Sequence, residues 1–231
     1  MKKYFYFYLT LYFISFTASA SDIKSLVLFY DEVEEGTEPQ IMRYIINKQF
    51  LRIDNGDDEG DFVLFDVKKK AIYSINQEDK TILKIKNHQW VRPELSFQVV
   101  TKQKAMQNAP KIANKQVYSY IVFAGDIACT QVSLVKGLYA ENMQVLYEYQ
   151  QVLSGQQVAT LKNTPIELHT PCFLVDQIYD SGDYYKAGLP VQISYSRGYQ
   201  KFLKDFKESS FDIKLFVKPQ GYSEYTAALN K

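Results

Sequence analysis

The sequence predicts an α+β fold: a curved antiparallel β-sheet with one long and one short helix covering its concave face. Three observations carry this. Between Arg43 and Lys86, short apolar stretches alternate with compact polar breaks, as in a meander. After Gly137 the apolar period lengthens to that of an amphipathic helix. Beyond Val191 two-residue alternation returns.

Residues 1–20 read as a signal peptide rather than as part of the fold. Lys2 and Lys3 precede an aromatic-rich apolar core, Tyr4–Phe16, and Ala18-Ser19-Ala20 supplies the small residues of a cleavage site near Ala20. The core is short for a transmembrane anchor. No Arg pair precedes it, which indicates general export, and no cysteine lies near the cleavage site to carry a lipid. The expected product is a periplasmic, untethered chain, with 21–231 forming one domain.

The elements follow in order. Ser25–Tyr30 opens as a strand and leads into an acidic loop ending at Pro39. The meander strands are Tyr44–Ile46, Phe50–Ile53, Phe62–Val67, Ala71–Ile75 and Thr81–Ile85, divided by Asn-, Asp-, Gly- and Lys-rich turns. Gln98–Lys102 is a weaker strand, Gln103–Asn114 a polar connection, and Val117–Phe123 another strand. Tyr139, Met143, Leu146, Tyr149 and Leu153, widened by Leu138, Val145 and Val152, make one broad stripe on a helix within Gly137–Leu161. Thr170-Pro171 is a cap followed by a first-turn proline, so Pro171–Tyr179 is the short helix. Val191, Ile193 and Tyr195 alternate as a strand. Gly198–Lys207 is ambiguous between helix and strand. Phe211, Ile213, Leu215 and Val217 alternate as a last strand, with Phe216 on the wrong face.

Composition excludes some functions. Without Lys2 and Lys3 the 27 basic residues become 25 against 26 acidic ones, a formal charge of −1. A nucleic-acid partner needs a concentrated basic excess and is not expected. Lys68-Lys69-Lys70 reads as a solvated turn. The two cysteines, Cys129 and Cys172, are expected to pair after export; the competing reading is a catalytic thiol with His169 three residues before Cys172.

No motif forces a reaction. Asp54–Asp61 offers five carboxylates, but their spacing differs from the twelve-residue calcium loop. His88 and His169 have no partner at helical spacing. Nucleophile elbows, phosphate-cradling loops and dinucleotide fingerprints are missing from the sequence. No catalytic residue, metal or cofactor is therefore assigned. Arg52 and Asp54 share a strand face, where pairing with Lys80 or Lys84 is expected. The remaining signal is aromatic, with 19 tyrosines, many on the sheet. Rings with a polar tip suit an apolar, partly wet cavity. The residues expected to line it are Leu51, Ile53, Phe62, Leu64, Tyr73, Ile75, Tyr118, Tyr120, Met143 and Leu146.

Three stretches resemble the periplasmic lipoprotein-carrier superfamily: Phe50-Leu51-Arg52-Ile53-Asp54; Phe62–Asp66 with Ala71–Asn76 and Lys80-Thr81-Ile82; and Phe216–Tyr222, similar to its Phe-x-x-Pro-x-Gly ending. The likeness covers about two thirds of the mature chain and is closest to uncharacterised members. It implies a half-barrel with helices as a lid, and a strand rather than a helix over Tyr199–Lys207. Cys129, Cys172 and the Pro93–Asn114 block depart from the carrier pattern. The meander, the aromatic face and the absence of a lipid-bearing cysteine lead us to expect a non-enzymatic binding or chaperone-like protein that holds a lipid, acyl chain or other apolar ligand. The alternative is an envelope protein–protein module with a filled core.

Overall fold

The computed structural model describes residues 22–88 and 90–227; the expected signal peptide lies outside them. Twelve strands form one large sheet: β1 (Asp22–Val33), β2 (Gln40–Ile46), β3 (Phe50–Asp54), β4 (Phe62–Asp66), β5 (Ala71–Asn76), β6 (Thr81–Lys86), β7 (Val99–Ala105), β8 (Val117–Ala124), β9 (Ile127–Lys136), β10 (Gly188–Tyr195), β11 (Gln200–Asp212) and β12 (Ser223–Thr226). Their order across the sheet is β12-β6-β5-β4-β3-β2-β1-β11-β10-β9-β8-β7. All neighbours are antiparallel except β12, which lies parallel to β6. The sheet is not strongly curled.

The meander is held by its turn chemistry. Asp54, Asp66 and Asn76 each end a strand, and each side chain accepts a backbone N–H of the turn that follows. Asp54 takes Gly56 N–H at 3.0 Å, Asp66 takes Lys69 N–H at 2.9 Å, and Asn76 takes Asp79 N–H at 2.6 Å. Such local bonds offer the chain an alternative to extending the strand, so the strands stop where these residues fall.

The helices occupy one face. α1 (Ala140–Thr160) begins after Tyr139, whose backbone is left-handed at φ 52°. Its buried positions include Met143, Val145, Leu146 and Val152, as the stripe predicts. α2 (Pro171–Leu174) is capped by the Thr170 hydroxyl, which accepts Phe173 N–H, and runs on as a single π turn over Val175–Tyr179. Cys172 on α2 is bonded to Cys129 on β9, so neither sulfur is a free nucleophile.

Burial divides the sheet into two cores. On the helix face, Leu26, Leu28, Tyr30, Leu51, Ile53, Tyr120, Val122, Leu134, Met143 and Leu146 belong to one cluster. On the opposite face, Val27, Ile45, Phe62, Leu64, Tyr73, Ile75 and Phe216 form a second. Covering both faces is therefore not left to the helices, as the alternation suggests; the chain after β11 closes the second face over the meander.

That covering segment corrects the last expected strand. Ile213–Phe216 is a 3₁₀ turn, started by Asp212, whose side chain accepts Lys214 N–H at 2.9 Å. The tighter turn brings Phe216, out of phase in a strand, into the second core at 2 % exposure. The ambiguous Gly198–Lys207 stretch resolves as strand β11, paired along its length with β1. β9 has no counterpart in the sequence pattern, because Ala128, Thr130, Gln131 and Ser133 dilute its apolar alternation.

β10 and β11 share only three register pairs, Gln192↔Phe202, Ile193↔Lys201 and Ser194↔Gln200. β11 continues alone against β1, while β10 runs back along β9. Tyr30 spans the resulting gap and donates its hydroxyl to the Pro190 carbonyl at 2.8 Å. Gly188 opens β10 at φ 153°, where a Cβ would stand 2.1 Å from the Val135 carbonyl oxygen, so only glycine fits.

Candidate binding cleft

Of the ten residues expected to line an apolar cavity, six lie with the helix face: Leu51, Ile53, Tyr118, Tyr120, Met143 and Leu146. The other four, Phe62, Leu64, Tyr73 and Ile75, belong to the second core. The two groups point to opposite sides of the sheet and share no single space. Nine of the ten are buried, with Tyr118 half-buried.

A different set of residues lines a cleft of about 580 Å³: Glu32, Glu34, Glu35, Gln150, Leu153, Asp176, Gln177, Tyr184, Tyr195, Arg197, Tyr199 and Lys201. The local pattern explains how they meet. Along β1 the core-facing row is Leu26, Leu28, Tyr30 and then Glu32, so a carboxylate takes the place of the next apolar side chain. The register sets Lys201 of β11 directly opposite Glu32. The β10–β11 turn supplies Tyr195, Arg197 and Tyr199. Gly198 at its apex has φ +89°, and a Cβ there would stand 3.0 Å from Glu35. The acidic loop and the turn thus face each other across the cleft mouth. α1 adds Gln150 and Leu153, and the π turn adds Asp176 and Gln177.

Glu32 is fully engaged. Lys201 Nζ lies 2.8 Å from its Oε1, Tyr44 donates to Oε1 at 2.5 Å, and Tyr199 donates to Oε2. Burial opposes its ionisation, but Lys201 and the two phenols outweigh it and hold the carboxyl below its ordinary range. Lys201 also donates to the Tyr44 hydroxyl at 2.5 Å. The same environment pushes Tyr44 and Tyr199 up, through burial first and the Glu32 charge second. Tyr184 and Tyr195 share a hydroxyl–hydroxyl bond of 3.0 Å, and burial pushes Tyr195 up to about 12.

Asp176 differs. Burial pushes it up to about 6, against the pull of the Thr130 hydroxyl, which donates to it, and of Arg197. Thr130 follows Cys129 and Asp176 lies one turn beyond Cys172, so the disulfide and this hydrogen bond together fix the π turn as the cleft wall. Arg197 lies over two rings, 5.3 Å from the Tyr195 centroid and 5.8 Å from that of Tyr199.

Glu32 already accepts from three donors, which leaves it a poor general base. Among the described residues, no cluster of three or more His, Cys, Asp or Glu converges as metal ligands. Asp54 and Asp58 are drawn into ion pairs with Arg43, and Asp57 and Asp61 accept backbone N–H groups. The expected pairing of Arg52 and Asp54 with Lys80 or Lys84 is replaced: they bond each other at 2.6 Å and share Asp54 with Arg43, while Lys84 pairs with Glu224. His169 sits against the Leu161 carbonyl and the Phe173 ring. The cleft was available to sequence reasoning only in part. In the sequence Tyr195 is a strand position, Tyr199 lies in the ambiguous stretch and the acidic loop is a connection, and the crossing that joins them is long-range.

No protein-family profile and no curated protein matches the chain. Two solved structures of PNGF-II, in C2 and P21 space groups, are similar to it at TM-scores of 0.42 and 0.43. Identity is 12% and 11%, over 89% of this chain and 31% and 32% of theirs. The chain spans about a third of the length of those proteins.

Proposed function

We propose that the protein is an exported, non-enzymatic binding module of the cell envelope, with a filled core as scaffold and a protein partner engaged at the tyrosine-lined cleft. The observation that supports this most is the division of labour among side chains. Most apolar residues of the two sheet faces are packed into two cores, with Ile41, Val100 and Ile127 left exposed on the strands. Exposed charges and accessible rings gather at the cleft mouth, where the acidic loop meets the β10–β11 turn. Aromatic rings with polar tips beside charged groups are the usual make-up of an interface centre. The disulfide accords with an oxidising compartment. No helix among the described residues is long and apolar enough to cross a membrane.

The test is site-specific photocrosslinking in cells that export the protein. A benzoylphenylalanine in place of Gln177 in the cleft wall is compared with one in place of Gln131, exposed on the opposite face of β9. A discrete adduct is expected from position 177 only, and it should disappear on Glu35→Lys. The reading is abandoned if position 177 yields no adduct, or the same adducts as position 131.

A second reading is carriage of an apolar ligand by a half-barrel of the lipoprotein-carrier kind, with α1 as a movable lid. Its support is that Met143 and Leu146 belong to the same cluster as Leu51 and Ile53, so lifting α1 exposes apolar sheet surface. Native mass spectrometry of protein taken from its own compartment separates the two readings. An added lipid mass, with displacement by a fluorescent fatty acid, favours carriage; the bare chain mass with no probe binding favours the filled module.

A further inference from the structure

The cleft mouth carries an unbalanced set of charges. Glu34 and Glu35 are exposed and make no ion pair among the described residues, and neither does Arg197. Glu32 is already neutralised by Lys201. Arg197 instead rests on the rings of Tyr195 and Tyr199, and its charge also favours the ionised form of Asp176 in the cleft wall. It projects from the four-residue connection 196–199 and is itself exposed, so rotation about its own side-chain bonds can withdraw it without moving either strand. With Arg197 withdrawn, the ring surface it covers on Tyr195 and Tyr199 is freed beside two unpaired carboxylates, while Lys201 still lies 5.6 Å from the Tyr199 centroid.

That combination has one best-matched ligand chemistry. A planar guanidinium stacks on aromatic rings and bonds carboxylates in a fixed fork, whereas an ammonium does only the second well. An anionic ligand meets Glu34 and Glu35 first, and an acyl chain meets charged walls. Resting on the reading of the cleft as a partner site, we infer that it accepts an extended, arginine-bearing basic segment of the partner, and that Arg197 holds the place of that arginine in the free protein. An arginine of the segment stacks on Tyr195 and Tyr199 and pairs with Glu34 and Glu35. Arg197 is then a competitor within the chain rather than a contributor to binding.

The opposing signs expected of two substitutions make this testable. The probe is a fluorescein-labelled pentapeptide with two arginines spaced by glycine, read by anisotropy on the full exported chain, with its citrulline counterpart as the neutral control of equal shape. The arginine peptide should bind about tenfold tighter than the citrulline one. Removing both rim charges with Glu34→Gln and Glu35→Gln should weaken it about tenfold. Arg197→Ala should tighten it at least about threefold, with Arg197→Lys in between because an ammonium competes less well for the rings. Unchanged thermal unfolding shows that each variant is folded. Equal binding of the citrulline peptide, or a weakened or unchanged affinity in Arg197→Ala, overturns the inference. Preference for an acidic peptide does so too. If the adduct at position 177 persists while the arginine peptide fails, the ligand class is wrong and the partner site stands. If both are lost, the site itself is wrong.

Discussion

The Arg52 guanidinium lies 3.8 Å over the centre of the Phe62 ring, on the sheet face turned away from α1. Its Nε bonds Asp54 at 2.6 Å, and its two amino groups reach the Leu215 and Asp58 carbonyls at 3.0 and 2.9 Å. A charged side chain 2 % exposed is thereby matched on every edge, and it ties the covering segment after β11 to the meander.

Removing the carboxylate is therefore worse than removing the outer arginine. Asp54→Ala leaves the Arg52 charge buried without its counter-ion, which should cost about 3–5 kcal/mol. Arg43→Ala, at a side chain 12% exposed, leaves Asp54 its bond to Arg52 and should cost about 1.5–3 kcal/mol. Urea unfolding of the two variants checks the order. Equal losses would mean that Arg52 is solvated or repaired by another group.

Two buried acids give stability an unusual dependence on pH. Burial pushes Asp176 up to about 6; burial, then the nearby Asp183, pushes Asp180 up to about 7. A carboxyl raised on folding binds its proton more tightly in the native state. Its contribution is complete below the unfolded value near 4 and is lost as pH rises through 6 to 7. For Asp176 the loss is on the order of 3 kcal/mol. Asp54 acts in the opposite sense. Burial opposes its ionisation, but Arg43 and Arg52 hold it low, so its share is lost only below about pH 4. The urea midpoint should fall from pH 5 to pH 8 in the native sequence and flatten in Asp176→Asn and Asp180→Asn. A midpoint rising over that range contradicts the assignment.

Much of this architecture is legible in local chemistry. The meander follows from Asp54, Asp66 and Asn76 stopping their strands, and α1 from the spacing of Met143, Leu146 and Leu153. The two-core arrangement is less legible. Phe62-Val63-Leu64-Phe65 and Ala71-Ile72-Tyr73 are apolar on both sides, the mark of a strand covered twice, yet a meander reading assigns them one buried face. What covers the second face lies about 150 residues on, in a segment that mimics strand alternation. The cleft is less legible still. Glu32, Asp176 and Tyr199 come from three distant parts of the chain, and only the β1–β11 register and the disulfide bring them together.

Gly155, inside α1, lies against the only tryptophan. A Cβ built there meets the Trp90 ring at 2.9 Å, too close to remain. Glycine in a helix interior costs about 1 kcal/mol relative to alanine, so Gly155→Ala gains helix propensity while pushing the ring aside. The two effects should nearly cancel in stability, within about 1 kcal/mol, while Trp90 emission shifts to longer wavelength as the ring is displaced toward water. Unshifted emission would place the indole elsewhere.

The disulfide should act locally. Cys129 and Cys172 are 43 positions apart and join β9 to the start of the short helix. Opening a loop of that size costs about 4 kcal/mol in the chain-entropy account. The meander lies outside the loop that the bridge closes, whereas the π turn depends on it: Asp176 is one turn from Cys172, and its bond to Thr130 is adjacent to Cys129. In Cys129→Ser with Cys172→Ser, amide exchange should accelerate first over Phe173–Tyr179 and β9, and little over β2–β5. Affinity at the cleft should fall, because Gln177 and Asp176 lose their fixed position. Exchange that rises uniformly over the whole sheet would instead make the bridge a global clamp, with no special hold on the cleft wall.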